Sequence, residues 1–315
     1  METKNYTDLR DAFFEELYLL ASADSNVVLI YGDQGAQTFK KFQQTIPGQI
    51  INGGIAEQNL IGVAAGLALG GKKVFVHAIA PFITLRCYEQ IKVDLGLMGL
   101  PVTLVGIGAG YSYGDAGPTH HAVQDLSILR AISGMTIFNA SDTVSLSRFV
   151  KIAYGNIKGP VYIRFDKDSP SQIYTEKESF CAGLAKIRSG KDIIIISTGL
   201  MVHRALAVAD KLNSLGIDAG VIDVYRIKPL NSVLLAEVLA GCQRIVALEE
   251  HSPIGGLGSL ISEFICDSGL STVSLKRIAL EDSDCFTYGT REYVHTRIGL
   301  DKDTLVARIR EWLVL

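Results

Sequence analysis

Short runs of β-branched and aliphatic residues recur along this chain with helix-length segments between them, and this alternation restricts the fold more than any other feature. The first series is VVLIY at 27–31, KVFVH at 73–77, VTLVGI at 102–107, TIFN at 136–139 and VYIR at 161–164. Strands separated by enough chain for a crossover helix read as βαβ units, and such units build parallel sheets. After Arg164 the text turns polar and turn-rich in DKDSPSQIYTEKES, and a second series follows: DIIIIS at 192–197, AGVIDV at 219–224, RIVALE at 244–249 and SLKRIAL at 274–280. The predicted fold class is α/β with two domains, each a mostly parallel sheet with helices on both faces. The expected boundaries are 1–172 for the first domain, 173–190 for a linker and 191–315 for the second. A chain of 315 residues agrees with this, since domains average about 150 residues. In the second half, HRALAVADKLNSLG sets Ala205, Leu206, Val208, Ala209 and Leu212 on one helical face, with Gly216 as the stop.

Composition excludes several function classes. With 48% hydrophobic and 20% charged residues and a formal net charge of -3, the chain has a globular profile and no basic surplus for nucleic acid. The start METKNYTDLR lacks the apolar core of a signal peptide, and no segment reaches the roughly 18 uninterrupted apolar residues of a membrane span. A cytoplasmic protein with no membrane partner is expected. Cys87, Cys181, Cys242, Cys266 and Cys285 are odd in number and never spaced as Cys-x-x-Cys, so neither a disulfide framework nor a zinc site is predicted, and no metal ligands are assigned.

One acid stands out. In NGGIAEQNLIG, Glu57 lies between the pair Gly53-Gly54 and the helical run NLIGVAAGLAL, in which Gly62, Ala64, Ala65, Gly66 and Ala68 leave little side-chain bulk. An acid in a first helical turn is stabilised by the helix end, by about 0.3–1 kcal/mol, and that ordinary role remains open. Small apolar flanks also predict that the carboxyl is buried, where it must find a partner or stay protonated. The smallness of the helix predicts that another surface, a second subunit among the options, packs close to it.

The segment GIAEQNLIGVAAGLALGGKKVFVHAIAPFITLRCYEQI, followed by YGDAGPTHHAVQDLSILR, resembles the pyrimidine-binding domain of transketolase-type, thiamine diphosphate-dependent enzymes. EEHSPIGGLGS is similar to part of the transketolase C-terminal domain, so the resemblance covers nearly the whole chain. It implies that Glu57 hydrogen-bonds the ring nitrogen of the cofactor's aminopyrimidine, favouring the tautomer that generates the reactive carbanion. The protein then supplies tautomer and geometry, while thiamine diphosphate supplies the carbanion chemistry.

The same resemblance assigns further residues. Phe82 in APFITLRCYEQ falls where an aromatic ring lies against the pyrimidine. Its alternative is an ordinary core phenylalanine, and a second aromatic found in many relatives is Ile79 here. Arg86 matches a cofactor- and substrate-facing arginine, with an ion pair to Glu89 as the alternative. His120, in Gly114-Asp115-Ala116-Gly117-Pro118-Thr119-His120-His121, matches the histidine that contacts the donor's oxygen and moves protons, whereas His121 reads as structural. Arg164 matches a substrate-phosphate arginine, with a surface pair to Asp166 or Asp168 as the alternative. Glu57 and His120 are therefore the expected catalytic pair. Gly108 stands where some relatives have a phosphate-contacting histidine, and Gly255-Gly256-Leu257-Gly258 reads as a tight turn opening a helix.

Two departures shape the functional expectation. Many transketolases read Gly-acid-Asp-Gly-Pro-Thr-His, whereas this chain has Ala116 at the second acid, which points to a modified or less common sugar. The chain also lacks the Gly-Asp-Gly motif that binds the diphosphate through Mg²⁺; YGDQG at 31–35 follows the first strand and is not that motif. The expected protein is the C-terminal half of a split transketolase, moving a two-carbon ketol unit from a ketose to an aldose. A separate N-terminal subunit would hold Mg²⁺ and the diphosphate, and self-association through the pyrimidine domain would give a heterotetramer. A 2-oxo acid dehydrogenase beta chain, a deoxyxylulose-phosphate synthase-like enzyme and a non-catalytic scaffold remain as alternatives.

Overall fold

The computed structural model describes residues 8–33, 35–155 and 157–314. Its strands are β1 Val27–Tyr31, β2 Ile50–Asn52, β3 Lys73–Ile79, β4 Thr103–Ile107, β5 Thr136–Asn139, β6 Val161–Phe165, β7 Ala185–Arg188, β8 Ile193–Ser197, β9 Ala219–Asp223, β10 Arg226–Lys228, β11 Arg244–Leu248 and β12 Ser274–Ile278. They form a seven-stranded sheet in the order β10-β5-β6-β4-β3-β1-β2 and a five-stranded sheet in the order β12-β11-β8-β9-β7. Each is parallel except for one antiparallel edge strand, β10 on the first and β7 on the second. The interior strands β1, β4, β6, β8 and β9 are buried at every position, as aliphatic runs covered on both faces must be.

The two halves interlock. Strand β10 leaves the second half of the chain to pair with β5 of the first sheet. The segment around 173–190 is pinned rather than loose: the Ile173 and Tyr174 amides donate to Asp142 Oδ2 at 2.9 and 2.8 Å, and β7 joins the second sheet. One face of the first sheet buries an aromatic cluster built on Phe13, Phe14, Phe42, Phe138 and Phe149. Its other face shares a continuous apolar core with the second sheet, joining Leu60, Ile83 and Leu104 to Ile194, Ile196, Ile222 and Phe264.

Strand alternation sends Tyr162 and Arg164 of β6 toward that shared core, while Val161, Ile163 and Phe165 face the aromatic cluster. Among the described residues, no helix is long and apolar enough to cross a membrane.

Candidate active site

Local backbone requirements explain the glycine pair before Glu57. A Cβ on Gly53 would lie 2.1 Å from Leu60 Cδ2, and Gly54 has φ +70°, a conformation that favours glycine. The chain thus turns tightly off β2 into the helix Glu57–Leu69, with Glu57 at its first position. The Glu57 side chain is 3% exposed, and its Oε2 accepts a hydrogen bond from Arg86 Nη1 at 2.8 Å.

From this pair a ladder of contacts runs outward. The Arg86 guanidinium lies 4.5 Å from the centroid of the Phe82 ring. That ring meets the His120 imidazole edge to face, centroids 5.0 Å apart and planes at 66°. Thr119 Oγ1 and His120 Nδ1 are 3.0 Å apart, and His120 ends the single tight turn Pro118–His120. Beyond it the Tyr113 ring lies 6.1 Å from His120, with Lys167 Nζ 4.2 Å above the tyrosine.

The structure therefore brings Glu57, Arg86, Phe82 and His120 together, from the start of one helix, the short helix Ala80–Thr84 and the turn after it, and the loop after β4. Neither Arg86 nor Phe82 takes its bland alternative: the guanidinium pairs with Glu57, and the Phe82 ring is half-buried beside His120. His121 is buried edge to face against Tyr111, and burial pulls its pKa below the usual histidine value. Ile79 is buried.

Arg164 departs from its expected place. It is 5% exposed, donates from Nε to Asp125 Oδ2 at 2.7 Å and from Nη2 to the Ala122 carbonyl at 2.9 Å. Tyr162 donates to the same Asp125 oxygen at 2.7 Å, and His251 Nε2 faces Asp125 Oδ1 at 3.6 Å. The guanidinium is engaged at the domain junction because its strand parity points it there, and neither Asp166 nor Asp168 pairs with it; Asp166, itself buried, instead meets Arg291 at 2.7 Å.

The EEHSPIGGLGS segment is structural in the same way. Glu249 accepts from the Leu257 and Gly258 amides at 2.6 and 2.7 Å, capping the helix Leu257–Asp267 that the glycine turn opens. Burial pushes the Glu249 carboxyl up to about 7 and the His251 imidazole down to about 4. Burial raises Glu250 as well, yet Arg291 and His295 more than offset this and hold it well below the usual carboxylate range.

Two neighbours of the ladder escaped the sequence reading, Tyr113 and Lys167. Gly108, noted above only for the histidine it replaces, carries the signal for the first: a Cβ there would meet Tyr113 Cε2 at 2.2 Å, so the missing side chain at 108 makes room for the tyrosine ring. Lys167 is the exposed cation beside that ring.

A buried carboxylate paired with an arginine that lies over an aromatic ring, an imidazole against that ring and an exposed cation further out suit a flat nitrogen heterocycle with an anionic substrate beside it. The comparisons agree with that chemistry. Residues 5–171 match the family described as transketolase, pyrimidine binding domain, and residues 183–305 match transketolase, C-terminal domain. An apulose-4-phosphate transketolase subunit of Actinobacillus succinogenes is 35% identical over 84% of this chain and 85% of its own length. The 6-deoxy-6-sulfo-D-fructose transketolase subunit SqwH of a Clostridium species is 35% identical over 96% of this chain and 94% of its own. A solved split gene transketolase, described as an inactive beta4 tetramer, superposes with a TM-score of 0.85 at 30% identity, covering 99% of each chain.

Proposed function

This chain belongs to the transketolase family, and from that premise we propose that it is the pyrimidine-binding and C-terminal subunit of a split enzyme that transfers a two-carbon ketol unit between sugars. The observation that carries the reading is the continuous ladder from the buried Glu57 carboxylate through Arg86 and Phe82 to His120. These residues fit thiamine diphosphate: a buried carboxylate to accept from a ring nitrogen, with an aromatic face beside it. When bound, the cofactor supplies the carbanion-stabilising chemistry. Glu57 holds the proton balance at the pyrimidine nitrogen through the oxygen that Arg86 does not engage, and Phe82 orients the ring. His120, with Nδ1 beside Thr119, presents Nε2 to the sugar and moves a proton at its hydroxyl or carbonyl oxygen.

The substrate is a ketose with an anionic end group other than the ordinary pentose phosphates. Two features support this: Ala116 offers only a methyl group in the histidine loop, and two similar subunits carry the names of apulose 4-phosphate and sulfofructose enzymes. Lys167, exposed beside Tyr113, is the cation we assign to the anionic end; Arg164 is engaged elsewhere.

A partner subunit supplies the diphosphate and Mg²⁺ site. The outer face of the helix Glu57–Leu69 supports assembly, since Gly62, Val63, Gly66 and Leu69 are exposed along it and a Cβ at either glycine would meet open space. Self-association of this domain together with two partner subunits gives a heterotetramer.

The test is calorimetric titration of thiamine diphosphate with Mg²⁺ into this chain alone and into its mixture with the partner, followed by ketol-transfer assays over a panel of ketose phosphates and sulfonates. Binding and transfer confined to the mixture are expected. Tight binding to the lone chain would overturn the split site, and a mixture that binds without transferring would favour a scaffold.

A further inference from the structure

The loop that carries His120 is gripped from the second domain. The Gly289 amide donates to the Gly114 carbonyl at 3.2 Å, and a Cβ on Gly114 would come within 2.8 Å of the Gly289 oxygen. Three residues on, Gly117 has φ +79°, and a Cβ there would lie 2.6, 2.7 and 2.9 Å from Cε1, the hydroxyl oxygen and Cζ of Tyr288. The outer edge of the Tyr288 ring therefore fills the place of a side chain on Gly117. The His120 amide donates to the Gly117 carbonyl at 2.9 Å, so the phenol and the imidazole flank one tight turn.

Tyr288 is nevertheless 56% exposed, so the rest of its ring stays open to solvent beside the loop. In the loop itself Thr119 faces His120 Nδ1 and Ala116 offers a methyl, so that apart from the exposed Asp115 carboxylate, which only accepts, it has little with which to bond a sugar hydroxyl. The other phenol nearby, Tyr113, lies under Lys167. A phenol hydroxyl both donates and accepts, which is what pairing with a sugar hydroxyl requires, and its ring can cover the sugar's C–H face.

We propose that Tyr288, reaching from the second domain over Gly117, is a specificity residue of the sugar site, its hydroxyl bonding a hydroxyl of the ketose chain beside His120. This rests on the transketolase reading above. The second domain then has a direct part in choosing the substrate, through a side chain that no motif of the first domain contains.

The experiment is steady-state kinetics of the reconstituted pair with wild type and Tyr288→Phe, using the best ketose of the panel and its deoxy analogues. Losing one neutral hydrogen bond should raise the donor KM about 3- to 10-fold with kcat nearly unchanged. One deoxy analogue should lose its disadvantage in the variant, while the thermal midpoint and partner affinity stay as in wild type. Wild-type KM and discrimination in Tyr288→Phe would overturn the proposal alone. A change confined to partner affinity would also overturn it, making Tyr288 a subunit contact. A wild-type pair inactive on every ketose would overturn the transketolase reading and this proposal with it.

Discussion

Arg86 donates to the Glu57 carboxylate at 2.8 Å across 29 residues of sequence, tying the chain that follows β3 to the first turn of the small-residue helix. Because Glu57 is almost wholly buried while Arg86 is half in solvent, the pair sets a carboxylate beneath an opening rather than inside a sealed core.

Glu57→Gln keeps the shape and removes the charge. Turnover by the reconstituted pair should fall about 10²-fold or more, as when a positioned acid–base group is lost. The circular dichroism spectrum should be unchanged. Turnover near wild type would remove Glu57 from the mechanism.

Arg164→Met should act on stability. It strands Asp125, which is fully buried, and breaking such a pair costs about 3–5 kcal/mol. Thermal melts of Arg164→Met, Asp125→Asn and the double variant should show the double recovering part of the loss. A selective rise in sugar KM with an unaltered melt would return Arg164 to the substrate site.

Lys167→Met should raise the KM for an anionic ketose about tenfold, since a charge-assisted bond is lost, and leave a neutral analogue unaffected. Equal effects on both substrates would show that Lys167 serves only the packing of Tyr113.

Gly66→Arg places a long cation on the exposed helix face where the glycine has open space, so the monomer should fold. Its assembly should fail by light scattering, because a charge is then buried in the contact. Normal assembly would move the interface elsewhere.

His77 gives a signed pH effect. It is buried against Phe14, with Nδ1 3.2 Å from the Val105 carbonyl. Burial lowers its pKa from 6.5 to about 4, outweighing the carbonyl that raises it. Between those values the unfolded chain binds a proton that the fold does not, so this stability is complete above pH 6.5 and is lost as pH falls toward 4, by about 3 kcal/mol at most. Melts across that window should show wild type losing ground to His77→Phe; parallel curves would refute the assignment.

Much of this is legible in the residues alone. The aliphatic runs at 27–31, 102–107 and 192–197 are strands β1, β4 and β8 because only strands covered on both faces tolerate such continuous apolar sequence. Glu57 is legible because a charge between a glycine pair and a small-residue helix is locally out of place. Arg86 is harder: an i,i+3 pair with Glu89 presumes one continuous helix, whereas the chain breaks into a turn at 85–87 between the helices Ala80–Thr84 and Tyr88–Gln90.

By itself, then, the sequence determined the two α/β domains and the acid at the helix mouth, because periodicity and backbone-restricted glycines are local properties, while the histidine loop was picked out by its resemblance to the transketolase motif. Only the tertiary structure decided that Arg164 faces Asp125, that Tyr113 borders His120 with Lys167 over its ring, and that Tyr288 covers Gly117. Those outcomes depend on strand parity relative to a second domain and on the approach of loops far apart in the chain, which no local pattern encodes.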